Sequence, residues 1–135
     1  MGVYGSWLSD AIDDHLSGET IKAMLVDDTY VFDPDATTAP TGDEVSGTGY
    51  TAGGVDVTSD VAVSYDSTNN RVMLDVTADV NFGDITVTGI GGIVFYIDGG
   101  KPLAADMFGS TDWPGGDDFV YTPSASGILT IGVGT

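Results

Sequence analysis

Cysteine is absent from this sequence. No disulfide can staple the chain and no thiolate can hold a metal, so the fold must rest on packing. Basic residues are scarce: Lys22, Arg71 and Lys101 are the whole supply. Three scattered cations cannot form the basic patch that phosphate backbones or anionic membrane surfaces demand. Neither nucleic acid nor a membrane is an expected partner. Histidine occurs once, at His15. No apolar run approaches the roughly 18 residues that a membrane-crossing helix needs. Met1–Asp10 lacks the basic start and apolar stretch of a secretory signal, and none is expected.

Negative charge is what the chain has in excess. Asp and Glu number 21 and the net charge is −18. Such acidity often marks disorder. Here, however, 41% of the residues are hydrophobic, and they are patterned. The 135 residues are read as one domain, 1–135, with a single core of ordinary size. Uncompensated charge works against a compact state in dilute buffer. At molar salt the Debye length shrinks to about 3 Å and the repulsion is screened. The composition points to a protein made in a salt-rich cytoplasm; the alternative is an acidic phage or calcium-associated protein of a mesophile. Nearly all the acids are Asp, which also serves turns.

Trp7, Leu8, Ala11, Ile12, His15 and Leu16 share one helical face. Their spacing predicts a helix over 6–16, capped by Ser6 and ended by Gly18, within an N-terminal unit 1–18. Thr20–Val26 reads as a strand apolar on both faces, with Tyr30–Phe32 a short extension. Residues 33–54 have no periodicity and carry Pro34, Pro40 and five glycines. A loop this long is expected to lie over a partner or carry function. Val61–Tyr65 and Arg71–Phe82 alternate around the turn Asp66–Asn70, predicting a hairpin. Ile85–Thr88 alternates, Gly89–Gly92 allows a bulge, and Ile93–Ile97 reads as a strand buried on both faces. Leu103–Phe108, Phe119–Thr122 and Ile128–Val133 complete the set. The fold class expected is mainly β: an antiparallel β-sandwich or barrel of about 7–8 strands with one short N-terminal helix.

Chemistry has little to work with. His15 is expected to pack on the apolar side of the helix, and no second base or G-x-S-x-G elbow accompanies it. Carboxylate pairs such as Asp13-Asp14, Asp27-Asp28 and Asp117-Asp118 arise readily in so acidic a chain. Asp33-Pro34-Asp35 starts like a calcium loop but lacks the following ligands and closing glutamate. Gly47-Thr48-Gly49 and Gly89–Gly92 precede no helix, so they are turn and bulge glycines rather than phosphate cradles. No catalytic residue, cofactor or metal is expected. Trp7, Leu8, Ile12, Tyr50 and Trp113 are the candidate interface residues, because aromatic groups on terminal helices and loops are enriched at protein contacts. The alternative for Trp7, Tyr50 and Trp113 is that they plug the ends of the sandwich.

The segment EVSGTGYTAGG, Glu44–Gly54, resembles a stretch found in small structural proteins of tailed bacteriophages. Other pieces follow in the same order: the early strand TIKAMLVDD (Thr20–Asp28), the hairpin Tyr65–Leu74, the pattern Asp79–Thr88 and the final strand GILTI (Gly127–Ile131). The resemblance implies a virion structural protein without enzymatic activity. The favoured reading is a capsid-surface protein (decoration, turret or minor head) that assembles as a homo-oligomer on the major capsid protein or another virion protein. A tail or baseplate component of the same particle is the alternative. An extracellular adhesin or carbohydrate-binding module is a further one. Combined with the acidity, the resemblance points to a tailed virus of haloarchaea, its protein made in the host cytoplasm and located in the virion.

Overall fold

The structure, a computed structural model, describes residues 2–133. Helix α1 (Gly5–Leu16) precedes nine strands. These are β1 (Ile21–Asp27), β2 (Val55–Asp56), β3 (Val61–Asp66), β4 (Arg71–Val76), β5 (Val80–Asp84), β6 (Val87–Ile97), β7 (Pro102–Trp113), β8 (Asp118–Tyr121) and β9 (Leu129–Gly132). They form a four-stranded sheet β2-β1-β6-β7, a three-stranded sheet β3-β4-β9 and a ribbon β5-β8, with every pairing antiparallel. The fold is mainly β and sandwich-like, as the alternating pattern predicts.

The period of two decides what each strand buries. Ile21, Ala23 and Leu25 of β1 and Ile93, Phe95 and Ile97 of β6 face the main core. There they meet Leu74 and Val76 of β4, Phe82 of β5, Phe119 of β8 and Leu16 of α1. The other face of the same two strands carries a second buried cluster, Met24, Val26, Val94 and Tyr96. Each such side chain stabilises by about 1.5–3 kcal/mol when fully buried. Four of them left in water would cost much of the roughly 5–15 kcal/mol by which a domain is stable. Tyr30 and Ala39, from the segment after β1, and Ala105 of β7 pack against them. Ile93–Ile97 is thus buried on both faces, and its second cover comes from the same chain.

Several expectations need correction. The helix begins at Gly5, and Tyr4, not Ser6, is its N-cap residue. Gly18 does end it, at φ 78°. Gly5 and Leu16 are buried and Ile12 is half-buried against the core, while Trp7, Ala11 and His15 face outward. His15 is therefore not a packing residue. The cause is at Gly5, whose bare backbone lies against the Tyr65 ring and sets the helix's rotation. The alternation across 71–82 hides a break: Thr77 donates its N–H and hydroxyl to the Asp60 carbonyl, so β4 and β5 belong to different sheets. Residues 30–32 are not strand, and β7 runs on through GSTDW to Trp113. The expected irregularity at 89–92 is present, as register shifts between β6 and β7.

Candidate interaction surface

The EVSGTGYTAGG segment is a clasp within the chain. Glu44 bridges Val26, and the Val45 N–H donates to the Leu25 carbonyl at 3.1 Å. The Glu44 carboxylate accepts from the Tyr50 hydroxyl at 2.8 Å and from the Gly53 N–H at 2.7 Å. The Tyr50 oxygen in turn accepts the Leu25 N–H at 3.0 Å. Burial, with the Glu44 carboxylate adding to it, pushes the Tyr50 hydroxyl far above the ordinary tyrosine value, so it stays a donor. The Tyr96 hydroxyl donates to the Gly53 carbonyl at 2.7 Å. Thr48 bridges Thr86. The glycines have mechanical reasons. Gly49 (φ 80°) and Gly54 (φ 75°) are left-handed, and a Cβ on either would strike a carbonyl oxygen, of Asp84 or of Ala23.

The five candidate contact residues separate into two groups. Tyr50 stacks on Phe82 at 6.2 Å, Phe82 meets Phe119 at 6.0 Å, and Trp113 stands edge-on to Phe119 at 5.2 Å. The Trp113 indole N–H donates to the Asp117 carbonyl at 3.0 Å. Tyr50 and Trp113 thus plug one end of the sandwich. Ile12 packs against the main core and Leu8 is half-buried. Trp7 stands apart at 65% exposed, one turn from Tyr4 at 85% and with Val3 also exposed. The helical pattern flagged Trp7 but assigned it to the inner face. Tyr4 was missed because it lies just outside the periodic stretch.

Around this apolar face the helix carries Asp10, Asp13 and Asp14 and no Lys or Arg. Elsewhere two of the three cations are in ion pairs: Lys22 pairs with Asp98 and Arg71 with Asp66, each at 3.1 Å. The Asp98 partner raises the Lys22 pKa. Many carboxylates shape turns. Asp27, Asp33, Asp56 and Asp66 each accept a backbone N–H from two residues on. Side-chain hydrogen bonds from Thr29, Thr58 and Asn69 hold Asp27, Asp56 and Asp66 below the usual carboxylate value. Among the described residues, no three acidic or histidine side chains converge as a metal site would require. No helix there is long and apolar enough to cross a membrane.

One cleft opens between β7 and the turn before β9. It holds about 270 Å³ and is lined by Phe95, Ala104, Ala105, Tyr121 and Ile128. The Tyr121 hydroxyl donates to Asp106 across its rim at 2.7 Å. Burial first, then Asp106, raises its pKa. Comparison with protein-family models, with curated proteins and with solved structures finds no match to this chain.

Proposed function

We propose that this protein is a non-catalytic structural component of a tailed-virus particle, seated on the capsid surface through the outer face of α1. The observation that carries the reading is the exposed pair Tyr4 and Trp7, two large aromatic groups on a helix already anchored by its other side. Aromatic side chains in this setting are typical interface anchors. The resemblance of Glu44–Gly54 to virion structural proteins supplies the particle. The −18 charge supplies the setting, a salt-rich host cytoplasm. The acidic rim of α1 favours a partner surface with an apolar pocket ringed by Lys or Arg.

Deleting the helix would be a poor test, since Ile12 and Leu16 pack in the core. Tyr4→Ser/Trp7→Ser is cleaner, because both side chains are exposed. The variant should fold as the parent does and lose at least tenfold in affinity for particles lacking the wild-type protein. Undiminished decoration by a folded variant would remove α1 from the contact.

A further inference from the structure

Strand β7 lies at the edge of its sheet and runs for 12 residues, about twice the usual strand length. Among the described residues it pairs on one side only, with β6. Ala104–Met107 keep an unbroken register with Gly92–Phe95. In an antiparallel ladder alternate residues turn both N–H and C=O away from the partner strand. This stretch therefore presents a row of backbone donors and acceptors along its outer side. Native sheets blunt such an edge with Lys, an interior Pro or a covering segment. β7 contains no Lys, and its one Pro is its first residue, Pro102. Its apolar run of Leu103, Ala104, Ala105, Met107 and Phe108 is interrupted only by Asp106, and Met107 and Phe108 are both exposed.

A groove lies on each face of that edge. Residues paired across strands share a face. Ala104, opposite Phe95, is thus on the side of the main core, and Ala105, opposite Val94, on the side of the second cluster. On the core side the cleft of about 270 Å³ opens over Phe95, with Tyr121 and Ile128 as its far wall. On the other side a groove of about 100 Å³ runs between Leu103–Ala105 and the segment 30–36. Both stay open because the side chains at 104 and 105 are single methyl groups. We propose that β7 accepts an extended segment of a different protein as an added strand. Successive apolar side chains of that segment enter the two grooves in turn, and basic residues flank them. The backbone row demands an extended partner, and the period of two along a strand matches one groove on each face. Charge sets the flanks: Asp106 lines one groove and Asp33 the other, and β7 carries no cation. A net charge of −18 also disfavours a second copy in that place. This inference stands independently of the particle reading.

The probe is a fluorescent synthetic peptide, Lys-Thr-Val-Leu-Val-Thr-Arg, titrated with the full chain and followed by anisotropy. Saturable binding is expected, together with slowed amide hydrogen exchange at Ala104–Met107. Two forms of the peptide, N-methylated on one or the other set of alternate residues, read the strand geometry. The set facing β7 should cost at least tenfold in affinity, and the set facing away should cost little. Ala104→Leu, which fills the core-side cleft, should weaken binding at least tenfold, as should Glu in place of the peptide's Lys and Arg. Tyr4→Ser/Trp7→Ser should leave binding unchanged. If Ala104→Leu fails to fold, Asp106→Asn takes its place: the amide oxygen still accepts from Tyr121, and the affinity and its salt dependence should both fall. Absence of saturable binding overturns the proposal. Equal losses from the two methylated forms also overturn it, since they mark a plain apolar groove. So does a dimer joined through β7 that excludes the peptide, which would make a second copy the occupant.

Discussion

Tyr50→Phe removes one oxygen and leaves the ring stacked on Phe82. That oxygen does two jobs: it donates to Glu44 and accepts from the Leu25 N–H. Leu25 is wholly buried, so no water reaches the stranded N–H. Losing a hydrogen bond to a charged group costs about 1.5–3 kcal/mol, and stranding a buried donor about 1–3 kcal/mol more. The expected loss is about 3–5 kcal/mol, large but survivable against a typical domain stability. At the usual unfolding entropy per residue, this chain's Tm falls by about 3–4 °C for each kcal/mol. The melt should therefore move down by about 10 °C or more, with urea unfolding giving the free energy directly. Glu44→Gln in the same background separates the two contributions. The double variant should cost less than the sum of the singles by at least about 0.5 kcal/mol, because the residues touch. A loss below about 1 kcal/mol for Tyr50→Phe would refute the view of Glu44–Gly54 as a clasp.

Three further outcomes are expected. Gly54→Ala and Gly99→Ala both place a side chain at positive φ, 75° and 73°, but only Gly54 faces a carbonyl oxygen, while Gly99 opens to space. Gly99→Ala should cost about 1–2 kcal/mol for backbone strain alone; Gly54→Ala should cost clearly more, and equal costs in urea titrations would contradict the packing described. Thermal melts should show greater stability in molar KCl than in dilute buffer, because only two ion pairs offset the acids found in the described residues; equal melts would remove the halophilic reading. Asp27, Asp56 and Asp66 bind protons less readily when folded than when unfolded. Their stabilisation is complete above the unfolded value near 4 and disappears as pH falls through the lower folded values. At molar salt, stability should therefore drop below about pH 4, and a rise there would contradict the turn hydrogen bonds.

The strands were legible because alternation and turn residues agree, as at Val61–Tyr65, Asp66–Asn70 and Arg71–Val76. The break at Thr77 was not, since an alternating pattern continues straight through a switch between sheets. The length of the 33–54 loop was visible, but its task was not. A segment that covers its own sheet through Tyr30 and Ala39 leaves no periodic signal. The rotation of α1 was misread for a related reason. Hydrophobic spacing weighs Trp7 as heavily as Leu16, whereas Gly5, with no side chain, sets the contact with Tyr65. Tyr50 and Trp113 were recognised as special, and only the three-dimensional structure places both against the Phe82–Phe119 pair.

If this chain is part of a virus particle, as proposed, it must be present in purified particles. Purified particles from the source culture, with protein content quantified by mass spectrometry against the major capsid protein, test it most directly. A capsid-surface role predicts this chain on the order of hundreds of copies per particle, as one subunit per local capsomer position requires. A few copies would move it to the tail. Absence from particles, with abundant protein in the infected cell, would contradict the account.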